Sequence, residues 1–406
     1  MTEAGGRAGG VAAGPAVNPS LRHRLPLYPC QFLCAMAIVS LGPLLDPMMR
    51  DLGVPLARGG LISAGLFLGN VTGIVVLNTA MARVPAKWAL AGGTALQGAG
   101  LILAAAVARG LWSLLAIYLL VGFSGALLNA TCWMWISAHV KENRAAAALQ
   151  MILFFALAMI SVPLVIGLAL DAGATWRWVL LVEGGLAWLA ALSLAAAPLL
   201  DISGRRNVRL SQFREVVRFD PGLLLGMMGA GFFYVGAEMT LNVWLPKFQI
   251  DVFGAGDAWA SFSVTLFWVG LIAGRLIVMA LTRRFSPSRL LLICACTMAV
   301  FTVAVALAPS QAASLVLAVG AGLGASASYG IIGSYAGRFP EWQSAVASSL
   351  FILSGGVGSI AFPYIMGPLA DSAGFRTALA MIAVPAVVYA LFSLLIRACS
   401  GEARAS

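Results

Sequence analysis

Long apolar segments without a charged side chain are the feature that most restricts how this chain can fold. Two of them, Leu111–Ile136 and Ala345–Leu369, exceed the roughly 20 residues that a helix needs to cross a hydrocarbon core. In lipid, the backbone N–H and C=O groups of a spanning segment must be paired within that segment, which a helix achieves. The alternation of a membrane β-barrel strand is absent from these segments. The sequence therefore predicts an all-α membrane protein.

Composition agrees with this prediction, because 61% of the 406 residues are hydrophobic and only 10% are charged. A soluble domain carries about 25% charged residues. Polar, proline and glycine breaks divide the apolar segments into twelve transmembrane helices. These spans are predicted near residues 28–48, 59–79, 88–108, 112–137, 145–169, 177–198, 222–248, 259–281, 289–308, 312–336, 344–369 and 376–396.

The two halves of the chain repeat each other at an offset of 200 residues, because the fifth and eleventh spans end on the same Pro-x3-Gly-x3-Asp motif. The motif comprises Pro163, Gly167 and Asp171 in the first half and Pro363, Gly367 and Asp371 in the second. Parallel six-span repeats are typical of transporters whose halves rock about a central site. We therefore expect two pseudo-symmetric six-helix bundles. The predicted organisation is a disordered cytoplasmic tail (1–27), an N-terminal bundle (28–200), a cytoplasmic linker (201–221), a C-terminal bundle (222–396) and a cytoplasmic tail (397–406).

Lysine and arginine fall mainly in alternate connections between the spans. With the N-terminus inside the cell, 18 of the 25 basic residues lie in inside segments, 6 lie in outside segments and Arg275 lies within a span. Short inside loops of membrane proteins are enriched in these residues. We expect a multi-pass protein of the plasma membrane (the inner membrane of a bacterial cell), surrounded by lipid and with both termini cytoplasmic. This asymmetry accounts for the net charge of +10, so no nucleic-acid partner is expected.

Residues for other kinds of chemistry are scarce. The six cysteines lie in or at the end of apolar segments, and only His23 and His139 are available to join them at a metal ion. No connection contains a Walker-type phosphate loop or a nucleophile elbow. We therefore expect no enzyme activity, no cofactor and no metal site. A monomer whose partners are a small-molecule substrate and, if transport is coupled, protons is predicted.

Three carboxylates fall within predicted spans, where a charge at the bilayer centre costs about 2.5–3.5 kcal/mol. Asp46 precedes Arg50 by four residues, so an i,i+4 ion pair explains it, although a role in proton coupling stays open. Glu183 follows Arg177 by six residues, and we expect it to tie helix ends together. Glu238 lies deep in the seventh span without a basic residue within one turn of its own helix. It is the leading candidate for carrying a proton; packing through a hydrogen bond to a neighbouring helix is the alternative.

Amide and aromatic side chains within the spans are candidates for substrate binding, because they combine hydrogen bonds with flat apolar surface. Two of them lie one turn before and one turn after Glu238, on the same helical face. Two others are one turn apart in the fourth span. Packing, or an interfacial aromatic belt, is the alternative for the aromatic members. The candidates are Asn129, Trp133, Tyr234, Asn242, Trp268 and Tyr329.

The connections after the second and eighth spans carry a related signature. The connection after the eighth span reads GRLIVMALTRRFSPSRLL; its first-half counterpart, GIVVLNTAMARVPAKWAL, keeps Arg83 and has Ala82 where an aspartate is expected. The block ATWRWVLLVEGG opens the sixth span. On these motifs the chain resembles the major facilitator superfamily of transporters over residues 28–396. The resemblance implies a gating role on the inner side for Arg275, Arg284 and Arg83.

A narrower resemblance is to the fucose permease branch of sugar–proton symporters. The segments that show this resemblance are FFYVGAEMTLNVWL in the seventh span and SLFILSGGVGSIAFPYIMGPLADSAG in the eleventh, together with Gln150 early in the fifth. This resemblance implies that Gln150 contacts substrate. The carboxylates that the branch uses in its first and fourth spans align with Gly42 and about Leu128 here. Neither a sugar substrate nor that proton route is therefore implied residue by residue.

Together these features predict a secondary active transporter that works by alternating access on a small polar organic solute such as a sugar or an organic acid. It is a symporter if Glu238 couples transport to a proton. An efflux carrier for amphipathic compounds and a uniporter are the alternatives. A membrane enzyme and a sensor are the rivals from other classes, and the short connections leave no room for the soluble domains that a sensor needs.

Overall fold

Membrane-length helices follow one another along the computed structural model, which describes residues 21–79, 84–140, 143–200 and 210–400. Within these ranges, eleven helices are long and apolar enough to cross a membrane, and a pair bent by 45° at Ser40 supplies the twelfth. The helices are α1 (Leu27–Val39 and Leu41–Asp51), α2 (Leu56–Thr79), α3 (Ala86–Val107), α4 (Leu111–His139), α5 (Arg144–Asp171), α6 (Trp176–Ala196), α7 (Pro221–Phe253), α8 (Asp257–Leu281), α9 (Pro287–Ala306), α10 (Gln311–Ala325 and Ser328–Ser334), α11 (Glu341–Ala373) and α12 (Phe375–Met381 and Ala383–Cys399).

Each predicted span coincides with one of these helices to within a few residues, so the predicted twelve-helix all-α fold is confirmed. Two segments outside the predicted spans are also helical. A single turn, Leu21–Arg24, lies within the predicted N-terminal tail, and a ten-residue helix, Leu210–Phe219, lies within the predicted linker. Residues 1–20 of the predicted tail and 201–209 of the predicted linker lie outside the described residues.

Local signals explain where the long helices begin and end, as α7 illustrates. The Asp220 side chain accepts a hydrogen bond from the backbone N–H of Leu223, and Pro221 occupies the first position of the helix. This is the arrangement that satisfies a free N–H group and fixes φ at a helix start. The helix ends at Gly254, whose φ of 66° lies in the left-handed region that glycine adopts without a steric penalty.

The predicted repeat is visible in the packing. In the first half, α2 packs on α4, α3 packs on α4 and α6, and α1 packs on α5; the second half repeats these pairs with the six equivalent helices. The closest approaches are also repeated. Gly69 and Gly122 bring α2 against the backbone of α4, and Gly270 and Gly322 bring α8 against the backbone of α10. A side chain at any of these glycines would meet the backbone of the facing helix, so small residues set the helix spacing.

The bundle has two ends, which differ in the connections they contain. The terminal face contains the start of α1 and the end of α12. The distal face contains the connections that follow α1, α3, α5, α7, α9 and α11. The halves meet through α2 with α11, α5 with α8, and the distal segment of α1 (Leu41–Asp51) with α7 and α8. The terminal segment of α1 (Leu27–Val39) packs mainly within its own half. The contact between the halves is therefore concentrated towards the distal face.

Candidate functional site

Ion pairs join the two halves beside the distal face. The Asp46 side chain is 4% exposed, and its carboxylate pairs with two cations at 2.7 Å, Arg50 of its own helix and Lys247 of α7. Lys247 in turn lies 2.6 Å from Asp251, one turn further along α7. The predicted i,i+4 pair of Asp46 with Arg50 is confirmed, and the pair with Lys247 was not foreseen. We call these residues, Asp46, Arg50, Lys247 and Asp251, the distal latch.

The repeated Pro-x3-Gly-x3-Asp motif lies in the same layer. A Cβ atom added at Gly167 of α5 would lie 2.7 Å from the Ser261 Cβ and 2.9 Å from the Ala258 Cα of α8. Asp171, one turn later, accepts a hydrogen bond from the Ala258 backbone N–H at 3.2 Å. In the other half, Gly367 of α11 approaches the first turn of α2, where a Cβ would lie 2.8 Å from the Leu56 oxygen. The motif thus forms a close glycine-mediated contact at each of the two interfaces, α5 with α8 and α11 with α2.

A third contact lies deeper, where Asn242 of α7 meets α1 and α8. Its side-chain oxygen accepts a hydrogen bond from the Trp268 indole N–H at 2.8 Å, and its amide group donates to the Ile38 carbonyl at 3.4 Å. Asn242 and Trp268 are both buried. We call Ile38, Asn242 and Trp268 the distal roof. In this conformation the two predicted binding residues, Asn242 and Trp268, bond to each other within the second half, and the bond from Asn242 to Ile38 joins that half to the first.

Glu238 lies one helical turn from the roof on its terminal side, about 6 Å along α7 at 1.5 Å per residue. Its carboxyl is buried, Tyr234 of the same helix lies within hydrogen-bonding reach, and the positive charge of Arg275 on α8 acts on it. Tyr329 of α10 lies within electrostatic reach of the same carboxyl. Sequence reasoning compared Glu238 only with its own helix and missed Arg275 as its neighbour. We call Tyr234, Glu238, Arg275 and Tyr329 the central polar cluster.

The cluster adjoins a break in α10, which the sequence predicted as a single span over 312–336. Ser326 and Ala327 are not helical, and the Arg275 guanidinium Nε–H donates to the Ser326 carbonyl at 2.9 Å. Tyr329 follows the break and is 42% exposed, while its ring lies 4.9 Å from that of the buried Phe351. Non-helical backbone at membrane depth is tolerated where protein or a water-filled cavity satisfies its polar groups. Broken helices mark the binding sites of many transporters.

The first half presents amide and aromatic groups on α1, α4 and α5. The Gln31 amide donates to the Asn129 oxygen at 3.3 Å, and the Tyr28 hydroxyl donates to the Gln150 oxygen at 2.6 Å. Trp133, one turn beyond Asn129, is half-buried and packs against the apolar core of this half. Sequence reasoning did not single out Tyr28 or Gln31. No spacing along the chain relates either residue to a partner more than 90 positions away.

The predicted gating arginines lie in different surroundings. Arg275 belongs to the central polar cluster, whereas Arg284 is exposed in the connection between α8 and α9. Arg83 lies outside the described residues. A gating role for all three stays a prediction, as do the roles of the predicted substrate and proton residues.

The expectation that Glu183 ties helix ends together with Arg177 is wrong. The Arg177 guanidinium pairs with Asp51 at 3.1 Å and donates to the carbonyls of Ala105 and Ala108 at 2.7 and 2.9 Å. Glu183 is 5% exposed, and neither of its carboxyl oxygens has a hydrogen bond of good geometry in the described part of the chain. Residues six apart on a helix do not share a face, because at 3.6 residues per turn they point about 120° away from each other.

The sequence relatives identify the family. The family model of the Major Facilitator Superfamily matches residues 27–338 and, in a second match, residues 227–404. The chain belongs to the Major Facilitator Superfamily. It is therefore a multi-pass membrane transporter. A curated relative, a protein TsgA homolog of Erwinia tasmaniensis, is 23% identical over 283 residues, which cover 69% of this chain and 71% of the relative.

Solved structures share the fold at low sequence identity. A variant of the nucleoside transporter NupG superposes with a TM-score of 0.78 at 13% identity, covering 92% of this chain and 99% of that one. The D-xylose–proton symporter gives 0.78 at 13% identity, with coverage of 92% and 96%. A bacterial homolog of the human lysosomal transporter Spinster, in an inward-facing and unoccupied conformation, gives 0.77 at 16% identity, with coverage of 94% and 99%. The narrower resemblance to the fucose permease branch stays a prediction.

Proposed function

We propose that this transporter moves a small polar organic solute, such as a sugar, a nucleoside or an organic acid, and couples the movement to a proton carried by Glu238. The solute binds at mid-membrane between the first-half amides and the central polar cluster. The carrier then alternates between a state closed at the distal face and a state closed at the terminal face. One observation carries the proposal: the ion pair of Asp46 with Lys247 and the hydrogen bonds of Asn242 to Ile38 and of Ala258 to Asp171 join the halves on the distal side of Glu238.

The chemistry of the two facing surfaces supports a polar solute. Asn129 and Gln150 offer amides on the first-half side, and Trp133 offers aromatic surface. The central polar cluster adds a carboxyl, a guanidinium and two phenols. Such groups bind the hydroxyl and ring faces of sugars and nucleosides, and Arg275 can pair with a carboxylate. Two proteins of the same fold are described as a nucleoside transporter and a xylose–proton symporter, which is consistent with this class of solute.

Glu238 is suited to carry the proton because of its position. A carboxylate at the bilayer centre costs about 2.5–3.5 kcal/mol unless it is neutralised or paired. Arg275 of α8 and Tyr234 of α7 stabilise the charged form, and loss of the solute or movement of α8 would change that balance. Proton uptake at Glu238 can therefore be linked to the movement of the halves. Uniport without a proton is the alternative, and Asp46 in the distal latch is the second candidate for the proton.

We assign the terminal face to the cytoplasm of a cell with this protein in its plasma membrane. The assignment rests on the 18-to-6 distribution of lysine and arginine between the two sets of connections. The conformation is then closed towards the outside. A monomer is proposed, because each half already contributes one side of the solute site.

Counterflow in proteoliposomes tests this function. Purified protein is reconstituted into vesicles loaded with 5 mM unlabelled solute, and uptake of the same labelled solute is followed for a panel of nucleosides, pentoses, hexoses and carboxylic acids. We expect transient uptake of labelled solutes from one polar class. Unlabelled members of that class should compete with this uptake. Uptake of amphipathic compounds alone would instead support the efflux alternative and contradict the proposal.

A further inference from the structure

A cavity on the lipid-facing side of the first half is separate from the central polar cluster. It has a volume of about 280 Å³ and lies between α1, α5 and α6. Several of its lining side chains face outward, with Val165, Trp178 and Val182 each about 60% exposed. In a membrane this exposed surface meets lipid chains, so the cavity opens sideways into the bilayer. We call it the lateral pocket.

The lateral pocket contains the Glu183 carboxyl, a group that is not expected in a simple packing defect between apolar side chains. Of the side chains that line the pocket, only Glu183 can carry a charge. It is 5% exposed and has no hydrogen bond of good geometry among the described residues, although the Ser40 hydroxyl is close enough to interact with it. Arg177, the cation nearest to it in the sequence of α6, is committed to Asp51 and two carbonyls. An acceptor is therefore available at the bottom of an apolar groove.

We propose that the lateral pocket binds a lipophilic amine from the bilayer, with the ammonium group on Glu183 and the apolar body in the groove. A bound ammonium group favours the ionised form of a carboxyl in apolar surroundings, because the ion pair replaces the solvation that the buried charge lacks. The N–H donors of the ammonium group can then satisfy both oxygens. Phe32 and Trp178 add aromatic surface, which attracts organic cations. Met36 and Val165 supply flexible and branched apolar surface for the remainder of the molecule.

The depth of Glu183 favours a free amine over the amine headgroup of a phospholipid. Glu183 is seven residues from Trp176 at the distal end of α6, which places it about 10 Å inside the span. A phospholipid headgroup would have to leave the interface to reach it. A compact amine that partitions into the membrane meets no such restriction. The pocket also adjoins Ser40, where α1 bends by 45°, so an occupant would contact the region where that helix changes direction.

Binding of tritiated 1-adamantylamine to the full-length protein in lipid nanodiscs tests the inference. We expect saturable binding at one site per chain, and 1-adamantanol, which has the same cage without the charge, should compete at least about tenfold more weakly. Glu183→Gln keeps the size of the side chain and removes its charge, and should weaken amine binding by about tenfold or more. Glu215→Gln changes an exposed residue of the helix Leu210–Phe219, is the matched carboxyl-to-amide control and should bind as the parent protein does.

A second variant separates loss of the site from loss of the fold. Val182→Trp fills the pocket from its lipid-facing wall and leaves Glu183 in place, so binding should be lost while the thermal unfolding midpoint stays within a few degrees of the parent. Three results would overturn the inference: no saturable binding, equal binding by Glu183→Gln, or equal competition by 1-adamantanol. The last would mean that the pocket accepts any apolar group, including a lipid chain.

Discussion

The Asp46 carboxylate of α1 joins the two halves of the bundle through Lys247 of α7, whose Nζ atom lies 2.7 Å from Oδ1. Both side chains are largely shielded, at 4% and 13% exposure. Asp46 also pairs with Arg50, and Lys247 also pairs with Asp251, so the pair of Asp46 with Lys247 is the one that joins the two halves. If the distal side opens during transport, this pair must separate, and the two charged groups must then be hydrated. The pair therefore biases the carrier towards the state closed at the distal face.

Weakening the distal latch should open the distal side. We expect Lys247→Met to raise the rate at which a membrane-impermeant maleimide labels Ser261→Cys from outside by several-fold, because Ser261 is 1% exposed while α5 and α8 are in contact. Lys247→Arg keeps the charge and serves as the control. Unchanged labelling with Lys247→Met would show that the latch does not hold the halves together.

The glycine of the repeated motif should be sensitive to a single methyl group. Gly167→Ala places a Cβ 2.7 Å from the Ser261 Cβ, and overpacking of this kind costs about 1–3 kcal/mol. The population of the state closed at the distal face should fall by about tenfold or more relative to the open state. Gly367→Ala should shift this population in the same direction. Gly185→Ala is the control, since its Cβ would meet nothing within 4 Å.

Spin labels at Arg109→Cys and Pro309→Cys, which lie on the distal connections of the two halves, measure this population by pulsed electron resonance. Cys296 and Cys399 are exposed and are first replaced by serine. We expect a longer distance component to grow in Gly167→Ala and to stay constant in Gly185→Ala. Growth in both variants would point to a general loss of helix packing and not to this contact.

Orientation follows from the basic residues and can be tested without a substrate. Reporter fusions after Arg209 should be active in the cytoplasm, and fusions after Asp257 should be active outside it. The reverse pattern would invert every statement about the inner and outer sides, although the contacts themselves would stand.

Much of the fold could be predicted from the sequence, because long apolar segments admit only helices in a membrane. The i,i+4 pair of Asp46 with Arg50 was also accessible, since its spacing is local. The pair of Asp46 with Lys247 was not, because 201 residues separate the partners and only the packing of the halves brings them together. The motif containing Gly167 was recognised as a repeat, and its structural role became evident only from the facing helix. The central site was predicted only in part. Glu238 was identified as a candidate, whereas its neighbour Arg275 was assigned to the inner gate.

The gating arginines should differ in importance. Arg275→Ala removes both the charge beside Glu238 and the hydrogen bond to the Ser326 carbonyl, so transport should fall by about tenfold or more at unchanged surface expression. Arg275→Lys should recover part of the loss by restoring the charge. Arg284→Ala should reduce transport less than Arg275→Ala does, and both variants should reduce it more than Arg83→Ala. Equal loss at Arg83 would show that the inner gate has a second arrangement around Ala82.

Glu238→Gln tests the proposed coupling most directly. The amide keeps the size and the hydrogen bonds of the carboxyl but cannot bind and release a proton. In proteoliposomes with an imposed pH gradient, accumulation of the solute identified by counterflow should be abolished, whereas exchange between equal pools should continue because it needs no proton release. Asp46→Asn should have the milder effect, and Glu215→Gln should have none. Normal accumulation by Glu238→Gln would contradict the account, and would leave Asp46 or uniport as the explanation.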